Sequence, residues 1–99
     1  MISIRIYKRG NDVLIAACDE ELLGKTFEEG KLQIEVKKGF YDGQRINAEQ
    51  LKKFLLGATI ANLVGKETVE CAIEAGIVDR ECVIKIKGIL HAQMVKMIA

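Results

Sequence analysis

The sequence of 99 residues contains no proline, no tryptophan and a single histidine, His91. Its three cysteines, Cys18, Cys71 and Cys82, are an odd number at wide spacing without a CxxC pair, which argues against a disulfide framework and a cysteine zinc site. The longest apolar run, residues 13–18, is far too short to span a bilayer, so we expect no membrane association. Fifteen basic residues against 14 acidic ones leave a net charge of +1, which excludes a globally basic nucleic-acid binder.

What is present is typical of one globular domain, which we expect to cover residues 1–99. A hydrophobic fraction of 49% with 29% charged residues is ordinary for a folded protein and unlike a disordered one. The sequence starts directly on an alternating segment rather than on a signal-peptide pattern, so we expect a cytoplasmic protein.

The hydrophobic pattern predicts about five strands. Apolar and polar residues alternate over 2–6, 32–36 and 82–86, as in half-buried strands. The continuous apolar run over 13–17 favours a central strand that is buried on both faces and pairs with the first strand as a hairpin. Segment 89–98 fits either a helix or a strand, and Gly88, which suits a hairpin turn, favours the strand.

Two main helices are predicted, at about 47–57 and 66–75. Asn47 with Gln50 three residues later forms a capping-box pattern, and Asp19 is placed to cap a short helical turn of its own. Residues 60–64 continue the apolar stripe of the first helix as far as Gly65. Together these elements predict an α+β fold: a single small layered domain with a mainly antiparallel or mixed sheet of 4–5 strands.

Catalytic and metal chemistry have weak signals in this sequence. The one candidate for nucleophilic catalysis is a thiol such as Cys18 paired with His91, against the ordinary alternative of a buried thiol and a structural histidine. The acidic residues at 19–21 and 28–29 match no metal-ligand spacing, so neither a metal nor a cofactor is predicted.

Nucleic-acid contact remains as an option. Arg5, Lys85 and Lys87 share the outward parity of their strands, and with Tyr7 they would form one basic sheet face if those strands are neighbours. The alternative is an ordinary solvated face. Phe40 and Tyr41, in a glycine-framed loop, are candidates for surface recognition, unless Phe40 folds back over the core.

Three segments resemble one archaeal family, catalogued as domain of unknown function 424: ACDEELLGK at 17–25, ATIANLVG at 58–65 and HAQ at 91–93. The sequence departs from the family pattern at Leu90, where the family carries a proline. The resemblance implies an archaeal cytoplasmic protein and supplies no activity. It does direct attention to polar residues that we expect to share one binding surface: Asp19, Glu20, Lys25, Asn62, His91 and Gln93.

These observations favour a non-enzymatic intracellular binding protein whose partner is RNA or a ribonucleoprotein of the translation apparatus. The alternative is a small-ligand-binding protein or a Cys/His-dependent enzyme. A third alternative is a homodimer formed through an open sheet edge or the methionine-rich end at Met94 and Met97.

Overall fold

The computed structural model describes residues 1–96, in which strands and helices follow one another in an α+β arrangement. The elements are β1 (Ile2–Arg9), β2 (Asp12–Asp19), β3 (Thr26–Glu29), β4 (Leu32–Glu35), α1 (Lys38–Tyr41), β5 (Gln44–Ile46), α2 (Ala48–Leu56), β6 (Ile60–Val64), α3 (Lys66–Glu74), β7 (Ile84–Ile86) and β8 (Ile89–Val95). Single 3₁₀ turns lie at Glu20–Leu22 and Arg80–Cys82.

Six strands form one mixed sheet in the order β5-β1-β2-β6-β8-β7. β1 and β2 are an antiparallel hairpin, β2 pairs with β6 in parallel, and the remaining pairs are antiparallel. β2 lies at the centre because residues 15–18 carry no polar side chain, and these residues are at most 1% exposed. The predicted hairpin and the predicted central strand are thus present.

The helices α2 and α3 pack on one face of this sheet. Asn47 begins α2 with a complete capping box, in which the Gln50 amide donates to Asn47 Oδ1 over 2.8 Å and the Asn47 amide donates to Gln50 Oε1 over 2.9 Å. The apolar sides of both helices bury a core with Ile4, Ile15 and Leu63 of the sheet. No helix within residues 1–96 has both the length and the apolar character needed to cross a membrane.

The opposite face of the sheet is only partly covered. The β3–β4 hairpin and the single turn of α1 pack over one end of it and bury a second core, which includes Cys18, Val36, Tyr41, Val64 and Ile86. Toward the other end, side chains of β6 and β8 on this face remain accessible, with Val95 65% exposed. This open area is where a binding site can form.

The predicted number of strands is too low. β6 carries apolar residues that the sequence assigns to a helical stripe, because four of its five residues are apolar and it lacks the alternation that identifies surface strands. α1 lies in the segment that the sequence predicts as a glycine-framed loop, and β3 and β5, with four and three residues, are too short to show a pattern. The strand over 89–98 is present as Ile89–Val95, while residues 97–99 lie outside the described residues.

The methionine-rich end does not form an exposed apolar end at Met94. Its side chain is partly buried and packs against the core beneath α2 and α3, because it lies on the helix-facing side of β8. Met97 lies outside the described residues. The two edge strands of the large sheet, β5 and β7, have only three residues each, which leaves little backbone for pairing with another chain.

Candidate binding groove on the open sheet face

The register of the sheet lines up side chains of the partly covered face in cross-strand rows. Two residues along each strand separate one row from the next, so the rows lie about 6.7 Å apart. From the covered end to the open end, the rows are Ser3–Cys18–Val64–His91, then Arg5–Ala16–Asn62–Gln93, then Tyr7–Leu14–Ile60–Val95. The matching segments at 58–65 and 91–93 therefore lie side by side on β6 and β8.

The turn of α1 forms the wall beside these rows. Tyr7 Oη donates to the Phe40 carbonyl over 2.9 Å, and the Arg5 guanidinium donates to the Gly39 carbonyl over 2.8 Å. The Phe40 ring stacks on Tyr7 at 5.4 Å and meets Tyr41 edge-to-face at 5.0 Å. Phe40 thus folds back onto the sheet and Tyr41 is buried, so these aromatics line a wall instead of projecting as a recognition loop.

A hollow of about 290 Å³ lies between this wall and the second row. Its residues come from β6 and β8, from α1, and from the segment that includes β4: Asn62, His91, Gln93, Phe40, Tyr41, Gln33, Ile34, Glu35 and Lys37. Phe40 also lines a second hollow of about 510 Å³ over the third row, together with Tyr7, Lys8, Arg9, Asp12, Leu14 and Ile60. We call the two hollows together the sheet groove.

The polar side chains on the floor of the sheet groove are held in place by hydrogen bonds. Gln93 Nε2 donates to Asn62 Oδ1 over 2.9 Å, which joins the two amides across neighbouring strands. His91 Nδ1 lies 3.0 Å from the Leu63 carbonyl oxygen, which can only accept, so the neutral ring carries its proton on Nδ1. His91 Nε2 has no partner, and no buried side-chain nitrogen or oxygen within residues 1–96 lacks one, so Nε2 reaches solvent as an acceptor.

Asp19 lies away from the groove and has a structural role. Asp19 is 6% exposed as a residue, and its carboxylate accepts from the amides of Glu67 and Thr68 over 3.1 and 2.9 Å and from Thr68 Oγ1 over 2.8 Å. From the end of β2, this side chain therefore caps the N-terminus of α3. It makes no capping hydrogen bond to its own 3₁₀ turn, contrary to the prediction. Gly65 has φ 108° and a Cβ there would overlap this carboxylate, which explains the glycine.

Glu20 and Lys25 also lie away from the groove. Glu20 forms an ion pair with Arg45 at 3.3 Å on the surface beside β5. Lys25 is exposed at the start of the β3–β4 hairpin, where its carbonyl oxygen accepts from the Val36 amide over 2.9 Å. Of the six residues expected to converge, three lie together in the sheet groove: Asn62, His91 and Gln93.

Cys18 is unsuited to act as a nucleophile in this structure. Its side chain is fully buried, and this burial, reinforced by the negative charge of Asp19, raises the pKa of the thiol to about 12. Val64 lies between Cys18 and His91 in their row, so the two Cα atoms are roughly 10 Å apart, two strand spacings. No group of three or more histidine, cysteine or acidic side chains within residues 1–96 is placed to hold a metal ion.

The predicted basic sheet face does not form. β1 and β7 are separated by three other strands, so Arg5 and Lys85 are not neighbours. Lys85 also lies on the helix side of the sheet, because Ile84 and Ile86 face the β3–β4 hairpin. Lys87 occupies the turn between β7 and β8 with φ 52°.

The sequence does not predict the side of the groove that the β4 segment forms. Gln33, Glu35 and Lys37 were assigned to the solvated side of an amphipathic strand, where polar residues are ordinary. Only the packing of the hairpin against the sheet brings them to Asn62 and Gln93. Gly65 did carry a signal, since a glycine directly before a helix marks a backbone position with special requirements.

Comparison with known proteins gives two matches. The family model described as protein of unknown function (DUF424) matches residues 7–97. The fold is also that of the crystal structure of an uncharacterized conserved protein from Methanopyrus kandleri, with a TM-score of 0.78 and 20% identity over 99% of this chain and 95% of that one. None of the curated proteins searched is significantly similar to the chain.

Proposed function

The chain belongs to the family of proteins of unknown function DUF424, and from the geometry of the sheet groove we propose that it is a non-enzymatic protein that binds single-stranded RNA. An unpaired base lies in the groove against Asn62, His91 and Gln93. The observation that carries the proposal is this cluster of amide and imidazole hydrogen-bonding groups, which two neighbouring strands hold beside an aromatic wall.

The free hydrogen-bonding groups of these three side chains suit the edge of a base. After the bond between the two amides, Asn62 keeps both of its amide hydrogens, Gln93 keeps one amide hydrogen and its oxygen, and His91 keeps Nε2. Exchanging the two amide orientations leaves the same kinds of groups free. Bases present donors and acceptors side by side on their edges, and sequence-specific RNA readers bind them with such side chains.

Charges at the two ends of the groove suit a phosphate backbone. Lys37 lines the hollow beside Gln93, and Lys8 and Arg9 line the hollow beyond Phe40. None of these three cations has an ion pair within residues 1–96. The first and third rows are about 13 Å apart, enough for a short extended strand to reach both ends. Base stacking on the partly exposed Phe40, which borders both hollows, adds to this attraction.

Two alternative functions, a small-ligand-binding protein and a Cys/His-dependent enzyme, would need different contacts. A small-ligand-binding protein would hold a free base-like molecule against Asn62 and Gln93, without contacts to Lys8. A Cys/His-dependent enzyme would need a thiolate beside His91, whereas the Cys18 thiol is buried with its pKa raised to about 12.

The test is fluorescence anisotropy of labelled single-stranded RNA decamers of each base, measured at stepped KCl concentrations. We expect binding that weakens with salt, and a roughly tenfold loss of affinity for the double variant Asn62→Ala, Gln93→Ala. Lys8→Glu should also reduce the slope of log affinity against log salt, by about 0.7 for one lost phosphate contact. Lys53→Glu is the matched control, because it changes the same charge on α2, at the opposite face of the sheet.

Each contrary result has a definite meaning. The absence of salt-dependent binding at low ionic strength overturns the proposal, as does an equal effect of Lys8→Glu and Lys53→Glu. If a free nucleoside binds as tightly as the decamer, the ligand is a small molecule and not RNA.

We place the protein in the cytoplasm of an archaeon, as the resemblance of its segments implies.

A further inference from the structure

A second cleft lies on the helix side of the sheet, where α2 and α3 leave the end strands uncovered. It separates α3 from β7 and β8 and has a volume of about 490 Å³. Its apolar part consists of Ile73, Val83 and Leu90, all partly buried and packed against the core beneath the helices. The cleft is thus floored by the edge of that core and is separated from the sheet groove by the sheet itself.

Three cations and one carboxylate surround this apolar floor: Lys66, Arg80, Lys85 and Glu70. Arg80 binds Glu70 through two hydrogen bonds of 3.1 and 2.9 Å, which neutralises one positive charge. Those bonds, with the nearby charge of Lys66, lower the pKa of Glu70, so this carboxylate stays ionised at neutral pH. Lys66 and Lys85 have no ion pair within residues 1–96 and leave the cleft with two uncompensated positive charges.

We propose that this cleft binds a small organic phosphate, a phosphate monoester with an apolar body. The apolar body lies on Ile73, Val83 and Leu90, and the phosphate is held between Lys66 and Lys85. A phosphate monoester carries a charge of about −1.5 to −2 at neutral pH and offers three acceptor oxygens, which matches two ammonium groups. A single carboxylate would leave one lysine uncompensated and therefore binds more weakly.

The phosphate is held by side chains and not by the start of α3. The amides of Glu67 and Thr68 there already donate to the Asp19 carboxylate, so they are not available to a second anion. The bidentate pair of Arg80 and Glu70 closes one side of the cleft and fixes the position of that wall.

The experiment is a titration of the ¹⁵N-labelled protein with 1-naphthyl phosphate, followed by amide chemical shifts. We expect saturable shifts at Gly88 and at residues 70 and 83, with at least a tenfold weaker affinity for 1-naphthoate and for inorganic phosphate alone. The double variant Lys66→Gln, Lys85→Gln should lose at least tenfold in affinity for 1-naphthyl phosphate, while Lys53→Gln should bind like the wild type. Both variants replace exposed lysines that have no ion pair within residues 1–96, so folding is preserved.

Several results overturn this proposal. Shifts that do not saturate, or equal affinity of the double variant and Lys53→Gln, show that the cleft does not bind the probe. Equal affinity for 1-naphthoate removes the preference for phosphate. Binding of the RNA decamers distinguishes this inference from the proposed function, because the double variant Lys66→Gln, Lys85→Gln should retain wild-type affinity for RNA. If it loses that affinity, the cleft contacts RNA phosphates and not a small organic phosphate.

Discussion

Replacing Asp19 with alanine removes the cap that one strand provides to a distant helix. The carboxylate accepts three hydrogen bonds, two from amides of α3 and one from Thr68 Oγ1, and Thr68 is fully buried. Loss of an N-cap costs up to about 2 kcal/mol, and leaving a buried hydroxyl unpaired adds about 1 kcal/mol or more. We therefore expect the free energy of unfolding to fall by about 3 kcal/mol, a large part of the total for a domain of this size.

Urea unfolding followed by circular dichroism measures this loss, with an unchanged dependence on urea as the check that unfolding stays two-state. Thr68→Val is the matched variant, because it removes the hydroxyl bond and keeps both amide bonds to Asp19; we expect it to cost about 1 kcal/mol. The reasoning is refuted if the free energy of unfolding of Asp19→Ala lies within about 0.5 kcal/mol of the wild-type value, which is the range of an ordinary surface substitution. It is also refuted if Thr68→Val costs as much as Asp19→Ala.

Three further predictions concern Gly65, the reactivity of the cysteines and the pH dependence of stability. Gly65→Ala should lower the free energy of unfolding, measured in urea, by at least about 3 kcal/mol, because alanine is strained at φ 108° and its Cβ overlaps Asp19. In the Asp19→Ala background the loss should be smaller, and equal losses in the two backgrounds would contradict the overlap. In the native protein a thiol reagent should label the exposed Cys82 at once and the buried Cys18 only after unfolding, a difference that mass spectrometry of the labelled peptides detects. The free energy of unfolding should fall between about pH 9 and 12, because burial raises the pKa values of Cys18 and Tyr41 to about 12 and the unfolded chain releases these protons at lower pH. Thermal unfolding at stepped pH should show a smaller decline in stability for Cys18→Ala than for the wild type. An equal decline in the two proteins would exclude the thiol as a cause.

The sequence predicts the elements whose pattern is set locally. The capping box at Asn47 and the alternation in β1 are visible in the sequence and present in the structure. β6 was missed because four of its five residues are apolar, a composition that it shares with the buried side of a helix. Only its pairing with β2 and β8 makes it a strand, and such pairing is not encoded in local periodicity.

The candidate site shows the same division. Resemblance to a family singled out Asn62, His91 and Gln93, and the register of β6 against β8 brings them together. The same resemblance singled out Asp19, whose carboxylate is committed to α3 across 49 residues of sequence. A shared segment does not distinguish a residue that supports the fold from one that meets a ligand, since both kinds require a particular side chain.

The parallel pairing of β2 with β6 divides the sheet into two halves that come from different parts of the chain. β5, β1 and β2 all lie within residues 2–46, and β6, β8 and β7 all lie within residues 60–95. Joining the halves closes a long loop, so this junction is expected to form late in folding and to open early in local unfolding. The sheet groove crosses the junction, with Phe40 on one half and Asn62 on the other. A molecule bound in the sheet groove would contact both halves of the sheet and slow their separation.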